Sequence, residues 1–560
     1  MKRDGFSALI TTPLVIAFFV LFSSIRFAAA GRDDTFIMLW SGKTFTFKEW
    51  FLNYNGAHEE MSSSVLAPWI VSLGYHLAPS TPLLFFKTIS LCASVSCLLL
   101  IWQQRQIIFH RDFPGHLVPA VIFAVASSPM FQYWTFGGLE TPFQTFLLLF
   151  APVAQARFYL NRSRSSAFVF GLSLALLSLV RTEGFIYLFA SLAFYLVVRE
   201  RRELFKSLAP IALAAILTFG LFIVRLVFTD AIWPNPTYAK VGGLFDQFTE
   251  GLRYVSSYYE KGGMAAWLQG IAFIYAIGRL CHYTFFRSRF NTLAASDVST
   301  ITISLYVVMH ETFVIFAGGD WMEYYRFIVP TIPLKVVLLA DFARIVLRRF
   351  AQWKLFPVEQ TLAVGLLGVC VAAGYQQTYS PLLAGFGTNC ASPMTDLGVG
   401  ELNPLSLEKQ LAKHNCTQSR DEAAVLPFIR NELGKYVHRA KQIRIATSQA
   451  GYFPYYVREV FSTDEVFFID TLGLATRGVA QIKTKKFAQG VKNGTELDSI
   501  LAGKEGTLSD VVLKMKPNMV YLLWITPKIR ENFATLGYSL VWDRPNATIF
   551  FKEVRSERER

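Results

Sequence analysis

Long apolar runs alternate with short basic turns over the first two thirds of the chain. The first run covers residues 7–30, which is long enough to cross a bilayer. Comparable runs recur as far as residue 373, and Lys/Arg pairs or clusters follow every second run. Because basic loops stay in the cytoplasm, this alternation predicts about eleven transmembrane helices with a cytoplasmic N-terminus. The predicted spans place residues 1–375 in one polytopic α-helical membrane domain.

The pattern changes after residue 375, where apolar segments become short and are separated by polar ones. Gln442–Thr447, Val466–Ile469 and Met519–Trp524 are typical of strands. Residues 376–560 are therefore predicted to form a soluble α/β domain on the extracytoplasmic face, because the last predicted span runs outward. Cys390 and Cys416 lie in this segment, and both a disulfide and two free thiols are compatible with the sequence.

Composition supports a membrane protein and excludes a single soluble domain. Hydrophobic residues make up 53% of the chain, and the mean hydropathy is +0.36. The net charge of +14 lies mostly in the predicted cytoplasmic turns, where Lys and Arg set topology. The basic charge therefore does not predict a nucleic-acid partner.

The predicted topology brings several polar turns to the extracytoplasmic side. They are Arg32-Asp33-Asp34, Gly137-Gly138-Leu139-Glu140, Arg181-Thr182-Glu183-Gly184, Trp233-Pro234-Asn235-Pro236-Thr237-Tyr238-Ala239-Lys240 and Gly318-Gly319-Asp320-Trp321-Met322. Membrane scaffolds place binding and catalytic groups in such turns. Their convergence on one face predicts a single site.

Asp33 and Asp34 are the predicted catalytic residues. They follow the first span directly, so they are expected at the water–lipid boundary. Partial desolvation and a like-charged neighbour raise the basicity of a carboxylate, which suits it to take a proton from a sugar hydroxyl. The alternative is a polar anchor that only marks the end of a transmembrane helix.

An outward-facing site has no access to soluble nucleotide sugars, so the predicted donor is a polyprenyl-phosphate sugar held in the membrane. Arg181, Lys240 and Arg326 are the predicted ligands of its phosphate. Each of them is also explained as a side chain that snorkels to the interface. A divalent cation is possible. No cofactor is required, because a single leaving phosphate carries less charge than a nucleotide diphosphate.

Other polar and aromatic residues near these turns are predicted to bind substrate. They are Glu140, Glu183, Trp233, Asn235, Tyr238, His310, Glu311, Asp320 and Trp321. Aromatic rings provide stacking platforms for sugars, and ionisable groups inside a membrane are usually functional or paired. Simpler interpretations are a helix-dipole partner for Glu140, a plain turn at Asp320, and a structural pair of His310-Glu311 with Arg225 or Lys87.

These motifs, in this order, resemble a known family. The resemblance rests on Asp33-Asp34-Thr35-Phe36, Gly137-Gly138-Leu139-Glu140-Thr141-Pro142, Arg181-Thr182-Glu183-Gly184, Pro234–Lys240, Gly318–Met322 with Arg326, Phe327 and Pro330, and Ala450–Tyr456 followed by Asp470–Leu474. The chain is similar to the GT-C family of mycobacterial terminal β-(1→2)-arabinofuranosyltransferases and their relatives in other bacteria. The resemblance implies a GT-C fold, a polyprenyl-phosphate arabinofuranose donor and a glycan acceptor, with the family's acidic pair at Asp33 and Asp34.

The predicted function is transfer of a sugar, D-arabinofuranose by resemblance, from a polyprenyl phosphate to a saccharide or glycoconjugate at the outer face of the bacterial cytoplasmic membrane. Another polyprenyl-phosphate sugar, such as mannose, is the alternative within the same class. A transporter and a non-catalytic membrane scaffold are the alternatives from other classes. A transporter would concentrate its polar groups at mid-membrane, whereas here most of them cluster at one face.

Overall fold

The computed structural model describes residues 11–21, 23, 33–45, 49–198, 201–240, 243–286, 293–320, 322–352, 424–440, 442–480, 515–522, 527–544 and 547–553. The last predicted span, the predicted domain boundary at residue 375, and Cys390 and Cys416 lie outside these ranges. Trp321 and Trp524 also lie outside them.

The described part of the chain before residue 353 is almost entirely helical. The longer helices are Thr11–Leu21, Asp33–Thr44, Leu66–Leu77, Pro82–Gln103, Val118–Ala126, Pro129–Phe136, Thr141–Asn161, Arg164–Val180, Ile186–Val197, Arg201–Thr229, Leu244–Lys261, Gly263–Phe286, Ala295–Phe316 and Ile332–Gln352. Short helices Arg105–Ile108 and Asn235–Lys240 and 3-10 turns Gly115–Leu117, Thr182–Phe185, Glu323–Tyr325 and Val329–Thr331 connect them.

Within the described residues, four helices are long and apolar enough to cross a membrane. They are Pro82–Gln103, Leu208–Thr229, Gly263–Phe285 and Ala295–Phe316. These helices identify a multi-pass membrane protein, but the predicted number of about eleven spans is not confirmed. Two predicted spans, for example, are helices of only 17 and 12 residues, Arg164–Val180 and Ile186–Val197.

A further predicted span, His116–Trp134, is a broken helix. Gly115–Ala126 and Pro129–Phe136 meet at a bend of 62°. The Ser128 hydroxyl accepts a hydrogen bond from the Phe131 N–H at 3.4 Å, and Pro129 occupies the first turn of the second helix. A serine cap followed by proline starts a new helix, so the chain changes direction there.

The C-terminal part contains a five-stranded sheet with the order β2-β1-β3-β5-β4. The strands are β1 (Ile443–Thr447), β2 (Val466–Asp470), β3 (Met519–Leu522), β4 (Ser539–Arg544) and β5 (Ala547–Phe551). Strands β2, β1 and β3 are parallel, and β5 and β4 continue the sheet in antiparallel pairing. The helices of this part are Phe428–Glu432, of the π type, Leu433–Val437, Tyr452–Arg458, Arg477–Ala480 and Pro527–Thr535. The three predicted strands are present as β1 to β3, and the antiparallel pair was not predicted.

The carboxyl ends of β1 and β2 face the membrane domain. The chain leaving β1 reaches Gly451, whose N–H bonds the Asp33 carboxylate, and then enters helix Tyr452–Arg458. The Phe36 ring packs against Tyr455 and Tyr456, with ring centroids 5.4 and 5.5 Å apart. Ligand sites of α/β sheets lie at the carboxyl ends of parallel strands. This arrangement therefore puts the edge of the sheet that is suited to binding next to the carboxylate pair.

Candidate active site

Five separate segments bring charged side chains to one place at the ends of the helices. Asp34 lies in the first turn of Asp33–Thr44, Glu140 precedes Thr141–Asn161, Arg181 and Glu183 follow Arg164–Val180, Lys240 ends Asn235–Lys240, and Asp320 and Arg326 follow Ala295–Phe316. The predicted outer turns thus converge in space.

Arg326 is at the centre of this cluster. Its Nε donates a hydrogen bond to Asp320 Oδ2 at 2.6 Å, and its Nη1 lies 3.9 Å from Asp34 Oδ2. Lys240 Nζ lies 4.0 Å from Asp320 Oδ1, and the Asp320 side chain is fully buried. The neighbouring Arg326, Lys240 and Arg181 hold the pKa of Asp320 below its ordinary value despite its burial. Asp320 is therefore an ionised buried carboxylate that fixes two cations.

Arg181 forms the second half of the cluster. Its Nη1 donates to Glu140 Oε1 at 2.5 Å, and its Nε donates to Glu183 Oε1. The Phe327 ring joins the two halves, because the guanidinium carbons of Arg181 and Arg326 lie 4.8 and 5.3 Å from its centroid. Cation–π contact of this kind orients a guanidinium without neutralising its charge.

A strained turn presents Arg326 to the site. Tyr324 and Tyr325 both adopt left-handed backbone conformations, with φ of 56° and 49°. Such conformations cost about 1–3 kcal/mol each and persist only where the surroundings enforce them. His310 contributes to this enforcement, since its Nε2 lies 2.5 Å from the Phe327 carbonyl oxygen and its Nδ1 lies 2.5 Å from the Tyr187 hydroxyl. His310 therefore lies beneath the cluster and supports the turn.

Two buried ion pairs lie outside the cluster. Glu311, predicted to bind substrate, pairs with Lys335, so neither Arg225 nor Lys87, the two partners considered in the alternative interpretation, is its partner. Arg225 instead donates to both oxygens of Glu60, at 2.7 and 3.1 Å. Both members of that second pair are only 1% exposed. A bidentate, desolvated arginine of this kind is committed to its carboxylate, so Arg225 is a structural residue.

A cavity of about 300 Å³ opens beside the cluster. Its polar wall includes Arg181, Glu183 and Lys240, and aromatic rings line much of the rest. These rings belong to Phe185, Trp233, Phe313, Phe316 and Phe327. A mostly apolar cavity lined by a few charged groups is the usual form of a ligand site.

The two adjacent aspartates have different surroundings. Asp33 accepts hydrogen bonds from the main-chain N–H groups of Gly451 at 3.1 Å and Tyr452 at 2.9 Å. Burial raises the pKa of Asp33 to about 8, and these two N–H groups oppose the shift. Asp34 is 18% exposed, and its Oδ2 lies 3.9 Å from Arg326 Nη1. Burial also raises the pKa of Asp34, while Lys240 and Arg326 oppose the shift. Asp33 faces the C-terminal part, and Asp34 faces the cations.

The other predicted substrate-binding residues have different positions. Trp233 lines the cavity. The Asn235 side chain bonds Glu59 at 3.2 Å, and Tyr238 is half-buried on the same short helix. Sequence reasoning did not name Glu59 or Phe327 among the site residues, although Phe327 belongs to one of the motifs that carry the family resemblance.

No group of three or more His, Cys, Asp or Glu side chains among the described residues is placed to hold a metal ion. The expectation that a divalent cation is possible but not required stays a prediction.

The protonation of Asp33 and Asp470 predicts how stability depends on pH. Asp470, at the end of β2, is buried, and burial raises its pKa to about 6. In the folded state each carboxyl keeps its proton up to a pH near its raised pKa. The same carboxyl in the unfolded chain, with a pKa of 3.8, is already ionised there. The folded state therefore binds more protons, and the free energy of unfolding falls as pH rises from about 4 to 8. The slope is at most about 1.4 kcal/mol per pH unit for each group.

Thermal unfolding of the purified protein, followed from pH 5 to 9, checks this dependence. We expect the melting temperature to fall with rising pH. Between pH 6 and 8, where Asp33 dominates, the Asp33→Asn variant is expected to flatten the curve. An unchanged slope in that variant would show that other groups cause the dependence.

Comparison with solved structures supports the fold. The chain is similar to the crystal structure of ArnT from Cupriavidus metallidurans bound to undecaprenyl phosphate, with a TM-score of 0.56, 11% identity and 98% of each chain covered. It is also similar to the apo state of that protein, with a TM-score of 0.55, 12% identity and 98% of each chain covered. No family model matches the sequence, and no curated protein sequence matches it significantly. The likeness confirms the GT-C fold over nearly the whole chain and leaves the arabinofuranosyltransferase family as a prediction.

Proposed function

We propose that this protein is a glycosyltransferase that moves a sugar from a polyprenyl phosphate to a saccharide or glycoconjugate at the outer face of the bacterial cytoplasmic membrane. One observation supports this most directly. A partly exposed carboxylate, Asp34, lies 3.9 Å from Arg326 in a cluster that also contains Arg181 and Lys240, next to a cavity walled by aromatic rings. A base, an anion site and an apolar cavity are the three parts that this reaction needs.

The lipid-linked donor fits the cavity with its phosphate toward Arg181 and Lys240 and its prenyl chain against Phe313 and Phe316. Arginine and lysine at a buried site stabilise a departing phosphate by opposing its charge. A solved structure with the same fold holds undecaprenyl phosphate, which agrees with a ligand of this class. Phe316 lines the cavity and is 46% exposed at the end of its helix, which suits it to contact a prenyl chain.

Asp34 is the base in this proposal. The acceptor hydroxyl gives its proton to an Asp34 oxygen while its own oxygen forms the new bond to the anomeric carbon. The bond from that carbon to the phosphate oxygen breaks, and the electron pair leaves with the phosphate. Asp33 is unsuited to this step because two main-chain N–H groups occupy its two oxygens. Its role is to hold the C-terminal domain, which binds or orients the acceptor.

Arabinofuranose is the proposed donor sugar on the resemblance of the sequence motifs alone. Mannose or a similar sugar on the same lipid is the alternative. The cations of the cluster oppose the phosphate charge whichever sugar is attached, so they select the class of donor. The identity of the sugar is selected by contacts in the cavity, such as those of Trp233.

Transfer from synthetic lipid donors tests the proposal. Purified full-length protein in detergent is given polyprenyl-phosphate arabinofuranose, labelled in the sugar, with a short arabinoside acceptor, and polyprenyl-phosphate mannose in a parallel reaction. Labelled product from the first donor supports the whole proposal. Product from mannose alone keeps the class and rejects arabinose. Folded protein that neither transfers from any polyprenyl-phosphate sugar nor binds undecaprenyl phosphate would reject the proposed function.

A further inference from the structure

The outer loop formed by residues 53–60 contacts the C-terminal part through its first half. Asn55 exchanges two hydrogen bonds with the main chain of Phe468, at 2.8 Å and 2.7 Å. Asn53 Nδ2 donates to the Ala475 carbonyl at 3.2 Å, and the Tyr54 hydroxyl donates to the Gly451 carbonyl at 3.2 Å. This half of the loop is therefore fixed to the end of the sheet that carries β1 and β2.

The second half of the same loop contacts the membrane domain. The Asn235 N–H donates to the Glu60 carbonyl at 2.9 Å, and Asn235 Nδ2 donates to Glu59 Oε2 at 3.2 Å. Asn235 is the first residue of the helix that ends at Lys240. The loop therefore also determines where the Lys240 helix begins.

Glu59 connects the two halves through one atom. Its Oε2 accepts the bond from Asn235 Nδ2 and also a bond from the main-chain N–H of Arg477 at 2.9 Å. Arg477 begins the C-terminal helix Arg477–Ala480. A carboxylate with two such donors is stabilised by both, and removing it leaves both without that acceptor.

We infer that Glu59 is a positioning residue that makes donor binding depend on the docked C-terminal domain. It does so by fixing the start of the helix that carries Lys240. This inference rests on the proposed function, since it treats Lys240 as a ligand of the lipid phosphate.

The short helix makes the coupling stiff. Asn235–Lys240 has six residues, so a shift of its first residue moves its last one as well. Lys240 lies 4.0 Å from Asp320 and lines the cavity. A displacement of about 1 Å there is enough to weaken a phosphate contact, because charged hydrogen bonds depend steeply on distance. Domain docking and occupation of the donor site thus stabilise one another.

Hydrogen–deuterium exchange of the full-length protein tests the coupling, with undecaprenyl phosphate as the probe. Without lipid, Glu59→Ala is expected to speed amide exchange at least several-fold in residues 235–240 and 477–480. With lipid, the wild-type protein is expected to show protection in 477–480 as well as in 235–240. In Glu59→Ala the protection of 477–480 is lost and the Kd for the lipid rises about tenfold, within the usual range of coupling between two sites.

The matched control is Glu459→Ala. Glu459 forms an exposed ion pair with Lys43 at 2.5 Å, which also joins the C-terminal part to the membrane domain but does not touch Asn235. This variant is expected to keep wild-type exchange in residues 235–240 and wild-type lipid affinity. Glu59→Gln, which keeps one acceptor oxygen, is expected to lie between the wild type and Glu59→Ala, and it replaces that variant if alanine prevents folding.

The outcomes separate the inference from the proposed function. Unchanged lipid-free exchange at residues 235–240 in the Glu59 variants would overturn the coupling, whatever the protein binds. Equal loss of lipid affinity in Glu59→Ala and Glu459→Ala would also overturn it, since docking in general would then be responsible. Faster lipid-free exchange in a protein that never binds undecaprenyl phosphate would keep the mechanical link, reject its role in donor binding and count against the proposed function.

Discussion

Asp34→Asn is expected to lower the rate of sugar transfer by about 10²–10⁴-fold, the usual contribution of a general base. Asparagine keeps the size of the side chain but accepts no proton at neutral pH. The Asp34 carboxylate is partly exposed and lies 3.9 Å from Arg326, so its removal leaves the fold and the aromatic cavity intact. The transfer assay with saturating lipid donor measures the loss, and equilibrium binding of undecaprenyl phosphate is expected to change much less.

Asp246→Asn is the control for this substitution. Asp246 is an exposed carboxylate in the first turn of helix Leu244–Lys261. The Asp246→Asn variant is expected to retain the wild-type rate of sugar transfer. A folded Asp34→Asn variant with more than a tenth of wild-type activity would contradict the assignment of the base to Asp34. Loss of transfer in Asp33→Asn alone, with the C-terminal domain still docked, would move the role to Asp33.

Gly451→Ala is expected to detach the C-terminal part, which carries the five-stranded sheet, from the helical part that contains Asp33. A Cβ at residue 451 would lie 1.9 Å from the Asp33 carbonyl oxygen and 2.5 Å from Asp33 Oδ1. Backbone atoms cannot move aside cheaply, so the helix that begins at Tyr452 has to retreat and both hydrogen bonds to Asp33 are lost. Overpacking costs about 1–3 kcal/mol, and each lost hydrogen bond to the protonated Asp33 carboxyl about 0.5–1.5 kcal/mol. Limited proteolysis of the purified protein measures the detachment, and sugar transfer is expected to fall with it.

Gly434→Ala provides the comparison within the same domain. A Cβ at Gly434 would meet only the Phe461 ring, at 3.9 Å, and alanine favours the helix in which Gly434 lies. This variant is expected to resist protease as well as the wild type or slightly better. Equal sensitivity of the two variants to protease would show that any added methyl group loosens this part of the chain. The close contact between residue 451 and Asp33 would then not explain the effect of Gly451→Ala.

The sequence predicted that four charged residues lie close together, namely Arg181, Lys240, Asp320 and Arg326. The predicted topology places their turns on the same side of the membrane. Basic residues oriented the apolar runs, and every turn chosen in this way reached the same cluster in the structure. The strands β1 to β3 were also predictable, since short runs of β-branched and aromatic residues have few other uses. The number of about eleven spans stays a prediction, because three apolar helices among the described residues are too short to cross a membrane alone.

The different roles of Asp33 and Asp34 depend on contacts that no local pattern encodes. Gly451 and Tyr452 bond Asp33 across more than 400 residues of sequence, and Arg477 bonds Glu59 across a similar separation. Such pairs appear only after the C-terminal sheet has docked. Likewise, Glu311 pairs with Lys335 on a different helix, Ile332–Gln352, and no pattern around Glu311 in the sequence reveals that pairing.

Every cation of the cluster already has a carboxylate beside it, and under the proposed function this has a consequence for the catalytic cycle. Glu140, Glu183 and Asp320 neutralise Arg181, Arg326 and, in part, Lys240 before any lipid arrives. A phosphate that enters must compete with these internal anions, so its ground-state affinity is held down. The same anions reclaim the cations as the spent lipid departs. Because these anions lower the affinity of the cluster for phosphate, the lipid phosphate product inhibits the enzyme less, which favours repeated turnover over tight binding.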